Sequence, residues 1–576
     1  MRFFALLLLP AVVFAQPADW VALSNEHARI LLNVQTQFNA EAAGSLGVEG
    51  VDTRILDLKA RRVERLSEAT QKALKQLEQR LSVEKDTRVR QDLQILIDST
   101  ERRLRSIDVR QKLLLPYFNM GEMVFGGIRA LLDDQVSPNR RPAALVRLRK
   151  YAGLEEGEPP IAVMAEERIR ERLKEPNLLG PPKDEVERGI SSANFFIDGI
   201  KQLFDKYKIT GYEEAFEKLK EQLSAYHDFV KAEVLPRART DFRLPSEIYL
   251  ISLEEYGVDL PPAELAKQAH AAFDEIQKEM ETIAQKIAAD RKLATSNYRN
   301  VIRELKKQQL VGDEILTHYL LRLRDIEEII KRQDLVTLPA RPARIRIASA
   351  AESAAIPAPH MRPPRLVGNK GERGEFVLPL NVPSATGEMK NFDDFTFEAA
   401  SWTLTVHEAR PGHEMQFAAM VEEGVSIARA VFAFNSTNVE GWGLYSEFIV
   451  KPFMPLEGQL ISLQHRLMRA ARAFLDPELQ LGKIQPAEAM RVLREDVVLS
   501  EAMANQEVER YTFRSPGQAT SYFYGYTKLT ELRQDAEKAM GRKFQARPFH
   551  DFILAQGLLP PGLLRKAVME EFVKAR

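Results

Sequence analysis

The sequence predicts a mainly α-helical fold with one small β element. Three observations carry this. Charge-rich stretches repeat apolar residues at three- and four-residue spacing, as in Leu56, Leu58, Val63, Leu66, Ala69, Ala73 and Leu77. Prolines punctuate these stretches into helix-length pieces. One short run, Glu375-Phe376-Val377-Leu378-Pro379-Leu380-Asn381, reads as a strand, and its Pro379 assigns it to a sheet edge.

In chain order, Met1-Arg2 followed by the apolar run Phe3 to Ala15 has the form of a secretory signal, with cleavage expected after Ala15. Residues 1–15 are therefore read as a signal peptide and the mature protein as exported, periplasmic or secreted. That run is too short to span a bilayer comfortably, so no stable membrane anchor is expected after cleavage. Residues 16–240 form an N-terminal helical region. It contains long amphipathic helices up to about Leu132, then shorter ones between prolines, including Asp184 to Tyr207 and Tyr212 to Val234. Leu235 to Leu244 breaks the pattern and joins this region to residues 241–576. There, Pro261-Pro262 opens a helix reaching about Ala288, since proline suits a first turn whose N–H groups have no partner inside the helix. Proline and glycine crowd the segment from Leu335 to Asp394 around the strand. An edge strand just ahead of a catalytic helix could hold an extended peptide by main-chain hydrogen bonds.

Composition excludes several functions. With 81 basic and 82 acidic side chains there is no excess charge to attract nucleic acid or an anionic membrane. The sequence has no cysteine, hence no thiolate nucleophile, no disulfide and no sulfur ligand. Any metal must sit on histidine and carboxylate.

The chain is organised around Val406 to Phe417, V-H-E-A-R-P-G-H-E-M-Q-F, which holds two of its nine histidines beside a glutamate. Imidazole is the commonest neutral metal ligand, and a carboxylate next to it is the usual general base of a zinc hydrolase. Ligating histidines on one helix are normally four apart, only about 40° apart around its axis; six apart they would diverge by about 120°. Pro411 and Gly412 can absorb two residues, because proline removes a helix hydrogen bond and glycine tolerates unusual dihedrals. The expectation is an active-site helix with a local bulge that brings His413 round to the face of His407.

Downstream, Glu440-Gly441-Trp442-Gly443-Leu444-Tyr445-Ser446-Glu447 supplies a glutamate at the distance at which a second helix completes a three-ligand zinc site. Glu440 is the expected third ligand. Glu447, seven residues on, either orients a ligating histidine through its ring N–H or is a surface acid. Ser515-Pro516-Gly517-Gln518 reads as a helix start with Ser515 as the cap. Arg510 and Arg533 are expected in salt bridges within the fold, with clamping of a peptide carboxylate as the alternative. His550 is expected to be structural.

Four blocks in this order, H-E-A-R-P-G-H at 407–413, E-G-W-G-L-Y-S-E at 440–447, P-G-Q-A-T-S-Y at 516–522, and Phe549-His550-Asp551 with Gly557-Leu558-Leu559-Pro560, resemble the bacterial family catalogued as domain of unknown function 885. That family is similar to helical glutamate-zincin metallopeptidases, such as thimet oligopeptidase and the Taq-type carboxypeptidase. The resemblance is clear from about Pro245 to Phe572. It implies a large helical zincin-like (gluzincin-type) metallopeptidase fold, with residues 241–576 as the catalytic region. It also implies a tyrosine or histidine on a late helix that donates to the oxyanion, the position matched here by Tyr522, for which a packed core role is the alternative. One departure is Glu414, where the family often has a second histidine.

These readings combine into an exported zinc metallopeptidase. His407, His413 and Glu440 are expected to hold Zn²⁺, with Glu408 and Tyr522 as catalytic residues and a peptide as substrate. A catalytically inactive periplasmic binding or scaffold protein, or a zinc hydrolase of non-peptide amides or esters, are the alternatives. The intact Glu408 favours an enzyme over a scaffold, since binding alone needs no general base.

Overall fold

A computed structural model describes residues 19–575 apart from 357, 384–388 and 392. The expected signal peptide lies outside the described residues. Among those described, no helix is long and apolar enough to cross a membrane.

Three helices packed on one another, Asp19–Phe38, Arg62–Val83 and Thr87–Leu113, open the fold. They bury Ala28, Leu31, Ala73, Leu77, Leu93 and Leu96 between them. The predicted apolar stripe is thus helical only from Val63 onward. Leu56 and Leu58 precede the helix in irregular chain and fill a neighbouring core instead. That second core is built on Met120–Arg129, Ala193–Lys206 and Glu213–Phe229, and it also takes Ala351 and Ala354 from later in the chain. The single helix expected from Asp184 to Tyr207 is two, Lys183–Ser191 and Ala193–Lys206, parted at Ser192.

The helix expected after the proline pair runs from Pro262 to Arg291, with Pro262 in its first turn. It packs along Leu456–Gln480, here called the arginine helix, through Phe273, Ile276, Met280, Leu467, Ala471 and Phe474. A third core surrounds the motif and contains Trp402, Val406, Met415, Trp442, Tyr445, Tyr522 and Phe549.

The β element is larger than expected and arranged differently. Strands β1 (Arg344–Ile347), β2 (His360–Arg362) and β3 (Glu375–Leu378) form one sheet in the order β1-β3-β2, with β3 parallel to β1 and antiparallel to β2. The predicted strand, β3, is therefore central rather than at the edge. It ends at Leu378, so Pro379 falls beyond it and costs the ladder nothing. The edge strand that borders the central cleft is β2, whose His360 and Met361 line it.

Candidate metal centre

The motif occupies two helices. The first, Glu398–Glu408, ends directly after the first histidine, and the second, His413–Glu422, begins with the other. The expected bulge within one helix is thus a full break across Ala409 to Gly412, containing a cis Arg410–Pro411 peptide. The break is closed by backbone hydrogen bonds from the Arg410 N–H to the Thr405 carbonyl at 3.2 Å and from the Gly412 N–H to the Val406 carbonyl at 2.9 Å. A side chain at 412 would collide with the His407 carbonyl oxygen at 2.0 Å, so only glycine fits so close to the first helix.

Neighbouring side chains hold this turn. Trp442 Nε1 donates to the Pro411 carbonyl at 2.9 Å. The buried Arg410 donates to Glu414 at 3.0 Å, to Glu327 at 2.6 Å and to the Arg341 carbonyl at 2.6 Å. Glu414 is fully buried and also receives Arg341 at 2.6 Å, so the residue that departs from the family pattern belongs to this ion-pair network. Removing one partner from such a buried pair typically costs about 3–5 kcal/mol.

The glutamate helix, Ser436–Val450, crosses the motif and brings Glu440 to both histidines. His407 Nε2 and His413 Nε2 each stand 3.3 Å from the same atom, Glu440 Oε2. The three ligand atoms lie within 4.8 Å of one another. A charge-assisted N–H···O bond would normally close to about 2.7–2.9 Å. Two ligands held about 2.0–2.1 Å from a tetrahedral zinc stand about 3.3 Å apart. The separations therefore suit a shared cation, and the donor set of two imidazoles and one carboxylate suits zinc.

Around this centre the sequence places supporting groups. His407 Nδ1 lies 2.7 Å from Glu447 Oε1, and Thr403 donates to the other oxygen of Glu447. Glu447 is thus buried and orients His407, rather than lying on the surface. Burial pushes the Glu447 carboxyl up, but Arg469 and the His407 imidazole outweigh it and hold the group at about 2. Burial works against charge on His407 too, yet hydrogen bonds to Glu440 and Glu447 raise it to about 9. Burial likewise opposes charge on Glu440, but the two imidazoles hold it well below the ordinary carboxylate value. A dication joining this cluster would displace a proton from it.

Gly443, one turn beyond Glu440, lets the helix lie against the imidazole: an added Cβ would stand 2.5 Å from His407 Cε1. Gly441 packs directly on Gly525 of the tyrosine helix, Thr520–Met540, where a Cβ on either would meet backbone within 3 Å.

Glu408 is buried, and burial raises its carboxyl above the ordinary value despite the neighbouring His407 and His413. It lines a cleft of about 680 Å³ together with His413, Glu440 and Tyr522. The N-terminal region supplies other lining residues of this cleft, including Tyr117, Glu185 and Phe196. The Tyr522 ring lies parallel to that of His407 at 6.4 Å, and its hydroxyl accepts from Arg510 at 3.3 Å, leaving its own proton to donate. Its helix begins at Thr520, not at Pro516. Gly517 turns into the left-handed region at φ 91°, and its N–H is captured by Asp476, so Ser515 caps nothing there.

Arg533 pairs with Glu537 at 2.7 Å and donates to Tyr445 at 3.1 Å, away from the cleft. His550 bridges Tyr445 and the Leu335 carbonyl at 2.8 and 2.7 Å, a structural role, and burial lowers it to about 4. Arg510 does line the cleft. Sequence reasoning passed over Arg469, Arg472 and Glu507. The available signal was Arg469-Ala470-Ala471-Arg472, the only charges in the apolar run from Leu467 to Leu475.

Two solved structures share the fold. One is a protein of unknown function from Shewanella oneidensis, taken to be a lipoprotein, 18% identical, with a TM-score of 0.71 over 96% of this chain and 100% of that one. The other, from Colwellia psychrerythraea and also taken to be a lipoprotein, is 17% identical, with a TM-score of 0.74 over 97% and 99%. No curated protein matches the chain in sequence. The family of bacterial proteins of unknown function designated DUF885 matches residues 41–568, and the chain belongs to that family.

Proposed function

We propose that the protein is an exported zinc-dependent metallopeptidase. The observation that carries this reading is the pair of equal 3.3 Å separations from two imidazole nitrogens to one Glu440 oxygen, at the border of a cleft. His407, His413 and Glu440 would hold the metal. Zinc bound there would act as a Lewis acid and make water a competent nucleophile near neutral pH.

The chain's own residues supply the rest. Glu408 takes the proton of the attacking water and passes it to the leaving nitrogen as the C–N bond breaks, yielding an acid and an amine. A carboxyl whose affinity for protons is raised by burial suits both halves of that transfer. Tyr522 donates its hydroxyl proton to the oxygen that gains charge as the carbonyl is attacked. β2 offers a strand edge against which an extended substrate can lie.

The structural neighbours, taken to be lipoproteins, agree with export. With no cysteine in its sequence, this chain has no thiol to carry a lipid.

Glu408→Gln tests the assignment. Zinc content measured by atomic emission should stay at wild-type stoichiometry while cleavage of a mixed peptide pool disappears. Loss of zinc would make Glu408 a ligand, and retained cleavage would remove it from proton transfer.

A further inference from the structure

Behind Glu408 lies a second, small cavity of about 60 Å³, bordered by Glu408, Tyr522, Arg469, Arg472 and Arg510. Glu408, Tyr522 and Arg510 also line the main cleft, so the two spaces share these three side chains as a common wall. Three guanidinium groups are unusual in so small a space, because each must be neutralised or hydrogen-bonded to be tolerated away from water.

The protein's own acids do not complete that task. Arg472 makes a two-pronged pair with Glu507, both bonds at 2.7 Å, and Arg510 stands 3.5 Å from the same carboxylate. Among the described residues the carboxylate within ion-pair distance of Arg469 is Glu447, at 3.6 Å, and that carboxylate already serves His407. Asp394 also borders the cavity, but it is taken up by Lys306 at 2.7 Å and by the backbone and hydroxyl of Ser500. Glu507 and Glu447 are thus shared among three guanidinium groups and the His407 imidazole, with Glu408 as a further carboxylate on the cavity wall. Arg469 and Arg472 are 4% and 3% exposed, yet among the described residues Arg469 Nε and Nη1 and Arg472 Nη1 have no hydrogen-bond partner. Buried donors of this kind are normally satisfied, and here the space beside them is large enough for a carboxylate group or a few waters.

We propose that this cavity is a carboxylate subsite, in which the three arginines receive the free carboxylate of the fragment that leaves during hydrolysis. Planar guanidinium matches a carboxylate's two oxygens, which a lone water cannot do. The side of the scissile bond follows from Glu408. It must reach the leaving nitrogen, and the cavity opens next to it, so the fragment carrying that nitrogen lies on the arginine side. The protein would then prefer substrates ending in a free acid close to the cleaved bond over internal or amidated segments. This rests on the peptidase reading.

The test compares one N-acylated peptide as its free acid and as its C-terminal amide, using the zinc-loaded full chain. Wild type should cleave the acid with a kcat/KM about 100-fold higher, since a site built around a polar group strongly rejects an analogue lacking it. Arg469→Gln and Arg510→Gln should bring the acid-to-amide ratio towards one, mainly through KM for the acid. Equal cleavage of the two by wild type overturns the subsite and leaves the peptidase intact.

Calorimetric titration of Glu408→Gln with both peptides gives a readout that needs no turnover. Tighter binding of the acid, abolished by adding Arg469→Gln, upholds the subsite even if no hydrolysis is detected and the peptidase reading fails. Equal binding, or none, overturns it and makes the cavity a water site. If Arg469→Gln does not fold by circular dichroism, Arg510→Gln carries the same comparison, because its side chain is 21% exposed and tolerates truncation better.

Discussion

Replacing Gly443 with alanine places a methyl carbon 2.5 Å from His407 Cε1 and 2.8 Å from its Nε2. Ordinary carbon contacts begin at about 3.4 Å. The imidazole or the helix must therefore give by nearly 1 Å, taken from the difference between that contact and 2.5 Å. The ring has little room to move, since Glu447 holds Nδ1 at 2.7 Å. Metal ligation tolerates only about 0.2 Å of error in ligand distance. Zinc affinity should accordingly fall by at least about 10–100-fold, the range seen when groups supporting a ligand are disturbed. Helix propensity acts in the opposite direction, favouring alanine over glycine by about 1 kcal/mol. A general weakening of the helix would thus not explain the loss. Competition of the zinc-loaded protein against a chromophoric chelator measures the affinity, and equal affinity in Gly443→Ala would refute the assignment of His407 as a ligand in this geometry.

Gly412→Ala should lower both zinc affinity and stability, the latter by at least about 2 kcal/mol in denaturant unfolding, because its Cβ would press on the His407 and Val406 carbonyls. Unchanged unfolding would mean that the turn can rearrange. Glu447→Gln should weaken zinc binding about 10–100-fold through His407, and a chelator titration matching wild type would reduce Glu447 to a packing role. Glu507→Gln addresses pH. Burial raises the Glu507 carboxyl, but Arg472 and Arg510 outweigh it and hold it at about 2. Because the folded-state value is depressed, its stabilisation is present above about 4.5 and is lost as pH falls towards 2. The variant should lose about 3 kcal/mol at neutral pH and show a flatter acid limb between those values. An acid limb as steep as that of wild type would contradict this.

The candidate metal cluster was legible because ligand chemistry restricts both residue type and spacing. His407, His413 and Glu440 stand out in a chain with few histidines, and the structure brings all three together. The way the chain accommodates six-residue spacing was less legible. Pro-Gly signals an interruption, but a bulge and a complete break share that signal, and the choice depends on Trp442 and on the partners that Arg410 finds outside the local sequence. β3 was found by its composition, while its central position depends on β1 and β2, which have no comparable apolar run. The start of the tyrosine helix was misplaced because Asp476, about 40 residues earlier, captures the Gly517 N–H that local capping rules give to the helix. Arg469 and Arg472 lay in plain view as charges within an apolar run, but a buried guanidinium looks the same in sequence whether it braces a fold or faces a ligand.

The contact of Gly441 with Gly525 joins the glutamate and tyrosine helices backbone to backbone, with no side chain between them. Glu440 precedes one of these glycines by a single residue, and Tyr522 precedes the other by three. Flexible side chains at a helix crossing act as a cushion, letting helices slide or roll by changing rotamers. A bare backbone contact removes that cushion. The carboxylate and the phenol are therefore mounted on one stiff frame, so a displacement of either helix carries both groups together and keeps their mutual alignment.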